Sequence, residues 1–479
     1  MIKKLIKDGS LYTLSGFISR GISLILLPFY VRFLTQEEYG LLDLILLLVN
    51  FVNITFSLEL TQAIARFLPS FRFFKPKVHL ISTSLWILVG SYSFFFLSYM
   101  LFKEFIISNV FQVALDDSTY CLIGVYVVLN GLFLFFQNNL RWDLQSFKFS
   151  INSLIYTFFN VAFVVLFLFN MNLGINGVLV ANIIASIVAV TASFISHRKY
   201  YTFFISRKYA RKLIYFSFPL IFSSVSVYLS LYIDRIIINQ YLGLSELAIF
   251  GVSYRFASLV GLITLGFSSA LTPLIYNSPY AFNTKNTLAK LFYFFLLGSF
   301  LFLFFITLFA TDILLIFTTV EYVSAKYIMP VVTASVIFSS LYIFFPGLTL
   351  EGRTKILAVI NTVAAALNLI LCLILVKKYG VFGVAISTLI TAIFSFMINV
   401  FYSNKFYEQK ISKPIIFKII GLSLLSFIIS YFISIKNQSI SAFNEFFLLK
   451  IVLFFIISGA TYWILFDKIK NYQISLDDK

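Results

Sequence analysis

"SGFISRGISLILLPFYVRFLTQEEYG" (residues 15–40) sets an arginine, Arg20, among Ile18, Ile22, Leu24, Ile25, Leu26 and Leu27. The apolar run is long enough to cross a bilayer, for which about 20 residues suffice. A guanidinium near the middle of such a helix costs roughly 2.5–3.5 kcal/mol on insertion scales and more in simulation. The surroundings of Arg20 must offset that cost. Lys3, Lys4 and Lys7 precede the run as they would in a signal peptide. At roughly 25 residues it is too long for one, and it lacks an A-x-A-like cleavage site. It reads as a first membrane span.

The rest of the chain agrees. Of 479 residues, 60% are hydrophobic and 11% charged, with mean hydropathy +0.97; soluble domains carry roughly 25% charged residues. Sixty-one Phe and 28 Tyr suit lipid-facing and interfacial positions. These features predict an all-α polytopic membrane protein. Spans are expected at about 10–33, 40–64, 80–102, 119–137, 150–170, 174–196 and 213–238, then 246–272, 288–310, 327–348, 356–376, 380–402, 414–435 and 444–466, fourteen in all. With the N-terminus in the cytoplasm, alternate segments hold about 25 Lys and Arg inside and 6 outside. Both termini are then cytoplasmic. The net charge of +17 marks a surface facing anionic lipid and calls for no nucleic-acid partner.

No loop exceeds roughly 20 residues, and no G-x-x-x-x-G-K-[ST] phosphate loop is present. ATP hydrolysis by that route and a large extramembrane catalytic domain are excluded. Cys121 and Cys372 match neither a disulfide framework nor a metal spacing, and read as small core residues. His79 and His197, at predicted cytoplasmic helix ends, read as surface residues.

Two short matches reveal an internal repeat. "NLGINGVLVANIIASIVAV" (172–190) resembles "KYGVFGVAISTLITAIFSF" (378–396), with Gly174/Gly380 and Gly177/Gly383 in register. "LTQEEYGLLDL" (34–44) resembles "LGLSELAIFGV" (242–252), pairing Glu38 with Glu246. The offsets, 206 and 208 residues, predict two six-helix lobes in parallel repeat about a pseudo-two-fold axis along the membrane normal. The domains are then 1–196 (spans 1–6), a basic cytoplasmic linker 197–212, 213–402 (spans 7–12), and 403–479, with spans 13 and 14 and a C-terminal tail.

Residues at i, i+3, i+4 and i+7 share a helix face. Arg20 shares one with Thr13, Gly16 and Ser23. Span 2 carries one stripe of Asp43, Asn50, Asn53, Ser57 and Thr61, and another of Thr55, Glu59, Gln62 and Arg66. Span 7 carries Ser223, Ser226, Ser230 and Asp234, with Arg235 adjacent, and span 8 aligns Gly251, Arg255 and Ser258. A polar cavity between the lobes would gather these residues. Pairing across helices, for example Arg20 with Glu59, would also account for single charges. Asp234 and Arg235, within a turn of a predicted outer end, are alternatively part-solvated, and Arg66 is alternatively a loop residue. Arginine is permanently charged and grips phosphate oxygens with a planar fork. A cationic cavity therefore suits a phosphate or pyrophosphate headgroup and disfavours a drug cation. Glu59 and Asp234 are candidates for coupling to H+ or Na+, since buried acids carry such ions; no other cofactor is expected.

"SRGISLILLPFYVRFLTQEEYGLLDL" (19–44) and "FPLIFSSVSVYLSLYIDRIIINQYLGLSELAIFGVSYRFASL" (218–259) resemble polysaccharide flippases of the multidrug/oligosaccharidyl-lipid/polysaccharide (MOP) exporter superfamily. The resemblance extends over most of spans 1–12. It implies a Wzx-type flippase, not an enzyme, that moves an undecaprenyl-pyrophosphate-linked oligosaccharide of O-antigen or capsule type across a bacterial inner membrane by ion-driven alternating access. It also implies substrate-phosphate binding at Arg20, Arg255 and Arg66, with polar roles for Glu59, Asp234, Arg235, Asn53 and Ser23. Polysaccharide polymerase and chain-length proteins become partner candidates. A lipid II flippase and a cation-exporting multidrug carrier are the alternatives. The sequence departs from the pattern at Ala248, where glycine is usual, and in its two extra spans.

Overall fold

The computed structural model describes residues 21–22, 24–277, 282–408, 447–456 and 458–459. Among these residues there is no strand, and nine helical segments are long and apolar enough to cross a bilayer. They cover expected spans 2–6 and 8–12, the last two in one segment. Span 7 is a separate 36-residue helix. Span 13, half of span 1 and about half of span 14 lie outside the described residues.

The chain divides into two compact units, one ending at Ala248 and one beginning at Ile249. In the first, α1 (Leu27–Phe33) leads to α2 (Gln36–Phe56) and α3 (Leu60–Phe67). Thr35 and Glu38 form a reciprocal cap at the α2 start: Glu38 N donates to Thr35 Oγ1 at 3.2 Å, and Thr35 N to Glu38 Oε2 at 2.8 Å. That cap satisfies two of the donors a helix start leaves open. Then follow α4 (Phe74–Leu101), α5 (Asp117–Trp142), α6 (Ser146–Val165), α7 (Gly174–His197) and α8 (Arg207–Leu242). Helices α5, α6 and α7 pack together, and α8 runs along α2, α3 and α4. Packing thus places the helix of span 7 in the first unit, although sequence repetition pairs it with span 1. At about 1.5 Å per residue α8 is about 54 Å long, beyond a hydrocarbon core of about 30 Å.

Helix α9 (Leu244–Ala257) crosses the unit boundary. The second unit continues with α10 (Leu259–Asn277), α11 (Phe282–Phe317), α12 (Ala325–Ser340), α13 (Thr354–Phe406) and α14 (Phe447–Ile456). Helix α13 is two helices joined at Gly380, where φ is +58°. Its repeat partner Gly174 has φ +55°, so both repeat turns need the positive φ that glycine adopts without a Cβ penalty, with ψ at −142° for Gly380. The likeness extends to packing. A Cβ on Gly177 would come within 2.9 Å of the Leu173 Cβ, and one on Gly383 within 3.0 Å of the Tyr379 Cβ, each pair four residues apart.

The core of the second unit is aromatic. Phe292, Phe295, Phe344 and Phe345 are buried with Tyr293 and Tyr407. The Phe295 and Phe344 centroids are 5.3 Å apart, and Phe292 meets Phe344 edge-on at 5.6 Å.

Candidate functional site

The second predicted span is broken rather than continuous. Between α2 and α3, Leu58 and Glu59 have φ of +53° and +49°. Two successive side-chain-bearing residues in this region cost roughly 1–2 kcal/mol each, so neighbouring groups must hold the turn. Ser91 Oγ of α4 donates to Phe56 O at 2.7 Å, and Ser217 Oγ of α8 donates to Glu59 O at 3.3 Å. The break thus displays carbonyls that two other helices satisfy, as nonhelical backbone at membrane depth requires. Glu59 is half-buried at this turn, and Arg66 is exposed in the last turn of α3.

One turn before the break, Asn53 is buried in a polar knot. Its Nδ2 donates to Asn130 Oδ1 at 2.8 Å, and Tyr92 OH donates to Asn53 Oδ1 at 2.7 Å. Gly131 makes room, since a Cβ there would stand 2.1 Å from the Tyr92 hydroxyl.

A second cluster joins α2 to α8. Arg235 Nε donates to Asp43 Oδ2 at 3.2 Å, and Arg235 Nη1 lies 3.8 Å from Asp234 Oδ1. Asp234 and Arg235 are buried, so the part-solvated reading is corrected. Two carboxylates thus share one guanidinium, with Tyr232 stacked 5.2 Å from it. Further along the seam, Tyr228 OH donates to Leu47 O at 2.5 Å, and Gly40 lies so close to Leu244 that a Cβ would sit 2.0 Å from its carbonyl oxygen.

Of the expected site residues, Asp234 and Arg235 come together with Asp43, and Glu59 meets α8 through its backbone. Arg255 is half-buried in the last turn of α9, in the second unit, and its carbonyl accepts from Ser258 Oγ at 2.6 Å. Arg20 and Ser23 lie outside the described residues.

Three sequence readings are corrected. His197 is buried, not superficial: its Nε2 donates to Asp143 Oδ2 at 3.0 Å, and Tyr200 OH donates to Asp143 Oδ1 at 3.1 Å. Burial disfavours the Asp143 carboxylate. The hydrogen bonds from His197, Gln145 and Tyr200, with the pull of the imidazole, outweigh it and hold its pKa below the usual value. Cys121 is exposed, whereas Cys372 is buried. Asp312, expected in a loop, is buried on α11, where it pairs with the buried Lys450 of α14. The signal for this pair was present in sequence, a lysine inside an apolar span, at the same cost as Arg20.

Among known proteins, a solved structure of the lipid II flippase MurJ in an inward closed conformation matches with TM-score 0.74 at 19% identity, covering 96% of this chain and 99% of that one. An inward-facing multidrug-resistance MATE transporter of the MOP superfamily gives TM-score 0.62 at 14% identity, covering 81% and 97%. A MOP superfamily transporter from Pyrococcus furiosus gives 0.55 at 14%, covering 82% and 94%. An uncharacterized membrane protein of Methanocaldococcus jannaschii is 24% identical over 440 residues, 85% of each chain. The fold is therefore the one these transporters share. The MatE family model matches residues 219–374. The model described as polysaccharide biosynthesis protein matches residues 5–278, more than half of the chain, and the chain belongs to that family.

Proposed function

We propose that this protein is a flippase for a polyprenyl-pyrophosphate-linked oligosaccharide, moving the repeat unit from the cytoplasmic to the outer leaflet of a bacterial inner membrane. The observation that carries the reading is the family match over residues 5–278. Arg20 and Arg255, on spans equivalent by repeat, bind the pyrophosphate, and Arg66 meets it at the entry side. The headgroup crosses through the protein while the prenyl tail stays in lipid, and no bond is broken. Asp43 and Asp234 around Arg235 carry one net negative charge, which a proton or Na+ neutralises during the cycle. Glu59, at the break in span 2, is the second coupling candidate. Asn53 and Ser23 contribute polar lining or support. Lipid II is the second candidate substrate, favoured by the higher TM-score to its flippase than to the multidrug carriers.

The test is surface glycan display in a flippase-null host of matching glycan type, with membrane protein levels equalised. Wild type should restore display, while Arg20→Ala and Arg255→Ala should not and should accumulate lipid-linked repeat units inside. Full rescue by both variants would remove the arginines from the site. Rescue of a lipid II flippase-depleted host but not of the glycan host would select the second substrate. In liposomes, transport indifferent to imposed H+ and Na+ gradients would remove ion coupling.

A further inference from the structure

Two segments expected to be plain connectors meet at one end of the first unit. They are the turn leading into α4 (residues 68–77) and the stretch 198–212 that leads into α8. Phe74 lies 4.9 Å from Tyr200, Phe71 lies 5.8 Å from Tyr209, and His79 stacks on Phe204 at 3.8 Å. The second segment is fastened along α4 by its backbone. Ser82 Oγ donates to Tyr200 O at 2.7 Å and accepts from Thr202 N at 3.0 Å. Trp86 Nε1 donates to Thr202 O at 3.1 Å, and Thr83 Oγ1 accepts from Ser206 N at 3.1 Å. Ser82 and Thr83 are fully buried, so these contacts fix where the segment runs.

What the segment then presents is unlike a water-facing loop. Phe203 is 94% exposed and Ile205 64%, and Phe73 on the neighbouring turn is 73% exposed. Trp86, a residue type enriched at headgroup level, lies 5.2 Å from Phe203. Residues 68–77 and 198–212 together carry nine Lys and Arg and no Asp or Glu. Arg72, Lys75, Arg198, Lys199, Arg207 and Lys208 are exposed. Asp143, the acid that reaches this end through Tyr200, is already engaged by His197, Gln145 and Tyr200.

Apolar side chains held outward between basic clusters combine the two signals needed for stable attachment to an anionic bilayer, acyl insertion and charge. We infer that this end of the first unit is a docking surface for acidic phospholipid. Phe203 and Ile205 enter the acyl boundary, and the cations around them hold headgroup phosphates. The surface uses none of the residues assigned to the transported substrate, so the inference stands or falls independently of which glycan is carried.

The test uses the purified full chain in neutral detergent, with its melting midpoint followed as lipid is added. Phosphatidylglycerol should raise the midpoint at lower concentration than phosphatidylcholine. Arg198→Gln/Lys199→Gln/Arg207→Gln/Lys208→Gln should raise the phosphatidylglycerol concentration needed by about fivefold per cation removed. Lys377→Gln/Lys378→Gln, elsewhere in the chain, should leave it unchanged. An unaltered response in the quadruple variant, or equal responses to the two lipids, overturns the inference. An equal shift from inorganic phosphate alone would show an anion site and overturn the lipid assignment. If the quadruple variant does not fold, a Trp142→Phe/Trp463→Phe background reports on Trp86 directly. Brominated phosphatidylglycerol should quench it more than brominated phosphatidylcholine, and Phe203→Ser should weaken that preference; equal quenching by the two lipids overturns the inference.

Discussion

The two units fill their interiors differently. In the first, buried amides and hydroxyls link the helices: Asn53 with Asn130 and Tyr92, Asn152 with Gln137 at 2.6 Å, and Asn160 with Asn182 at 3.0 Å. In the second, phenyl rings interlock around Phe344, and one buried ion pair, Asp312 with Lys450, ties α14 to α11. Lipid tails are as apolar as leucine, so helices in a bilayer gain nothing from hydrophobic burial against each other and associate through packing and hydrogen bonds. The first unit leans on the polar half of that repertoire and the second on packing.

Breaking the ion pair should have the largest effect. Lys450→Met leaves Asp312 as an uncompensated buried charge, a loss of about 3–5 kcal/mol. The thermal midpoint of the detergent-solubilised protein should fall steeply, and Asp312→Leu in the same chain should recover most of the fall, because an apolar pair of similar volume replaces the ions. A double variant no better than the single one would show that Lys450 acts through something other than Asp312.

That pair also marks the limit of what the sequence discloses. An apolar span holding one lysine announces a cost but not a partner, and here the partner lies 138 residues away. The break in span 2 is hidden for a related reason. "TFSLEL" (55–60) contains neither glycine nor proline, and the left-handed pair Leu58–Glu59 is held by Ser91 and Ser217 from other helices. His197 reads as a surface residue because basic residues follow it, and only the fold brings Asp143 and Tyr200 onto it. Features set by local chemistry are legible, the spans by their apolar length and the repeat turns by Gly174 and Gly380, whereas the Thr35–Glu38 cap starts α2 four residues before the expected start of span 2.

The contrast between interiors is sharpened by truncating one member of each. Phe344→Ala removes a ring from a close-packed cluster and should cost about 2 kcal/mol, since the transfer part of the loss vanishes in lipid while the cavity part persists. Asn53→Ala should cost less, about 0.6 kcal/mol and at most about 1.7, because polar groups in a bilayer find alternative partners. Paired thermal melts measure both. Equal losses would mean that the Asn53 knot is as tightly coupled as the aromatic cluster.

A difference between two glycine variants tests the repeat itself. Gly174→Ala and Gly380→Ala each force a Cβ onto a positive φ, which should cost roughly 1–3 kcal/mol. The surroundings then separate them. Nothing lies within 4 Å of a Cβ on Gly380, whereas one on Gly174 would come 2.8 Å from Glu38 Oε1. Glu38 caps α2 with Thr35 through its other oxygen, Oε2, so the added methyl must push the flexible Glu38 carboxylate and loosen one half of the cap, at about 1 kcal/mol at most. Glu38→Ala should therefore lower the melting midpoint of Gly174→Ala less than that of Gly380→Ala, whose ψ of −142° sets a backbone cost of its own. If Glu38→Ala lowers the two glycine variants equally, Glu38 relaxes beside the Gly174 Cβ without cost.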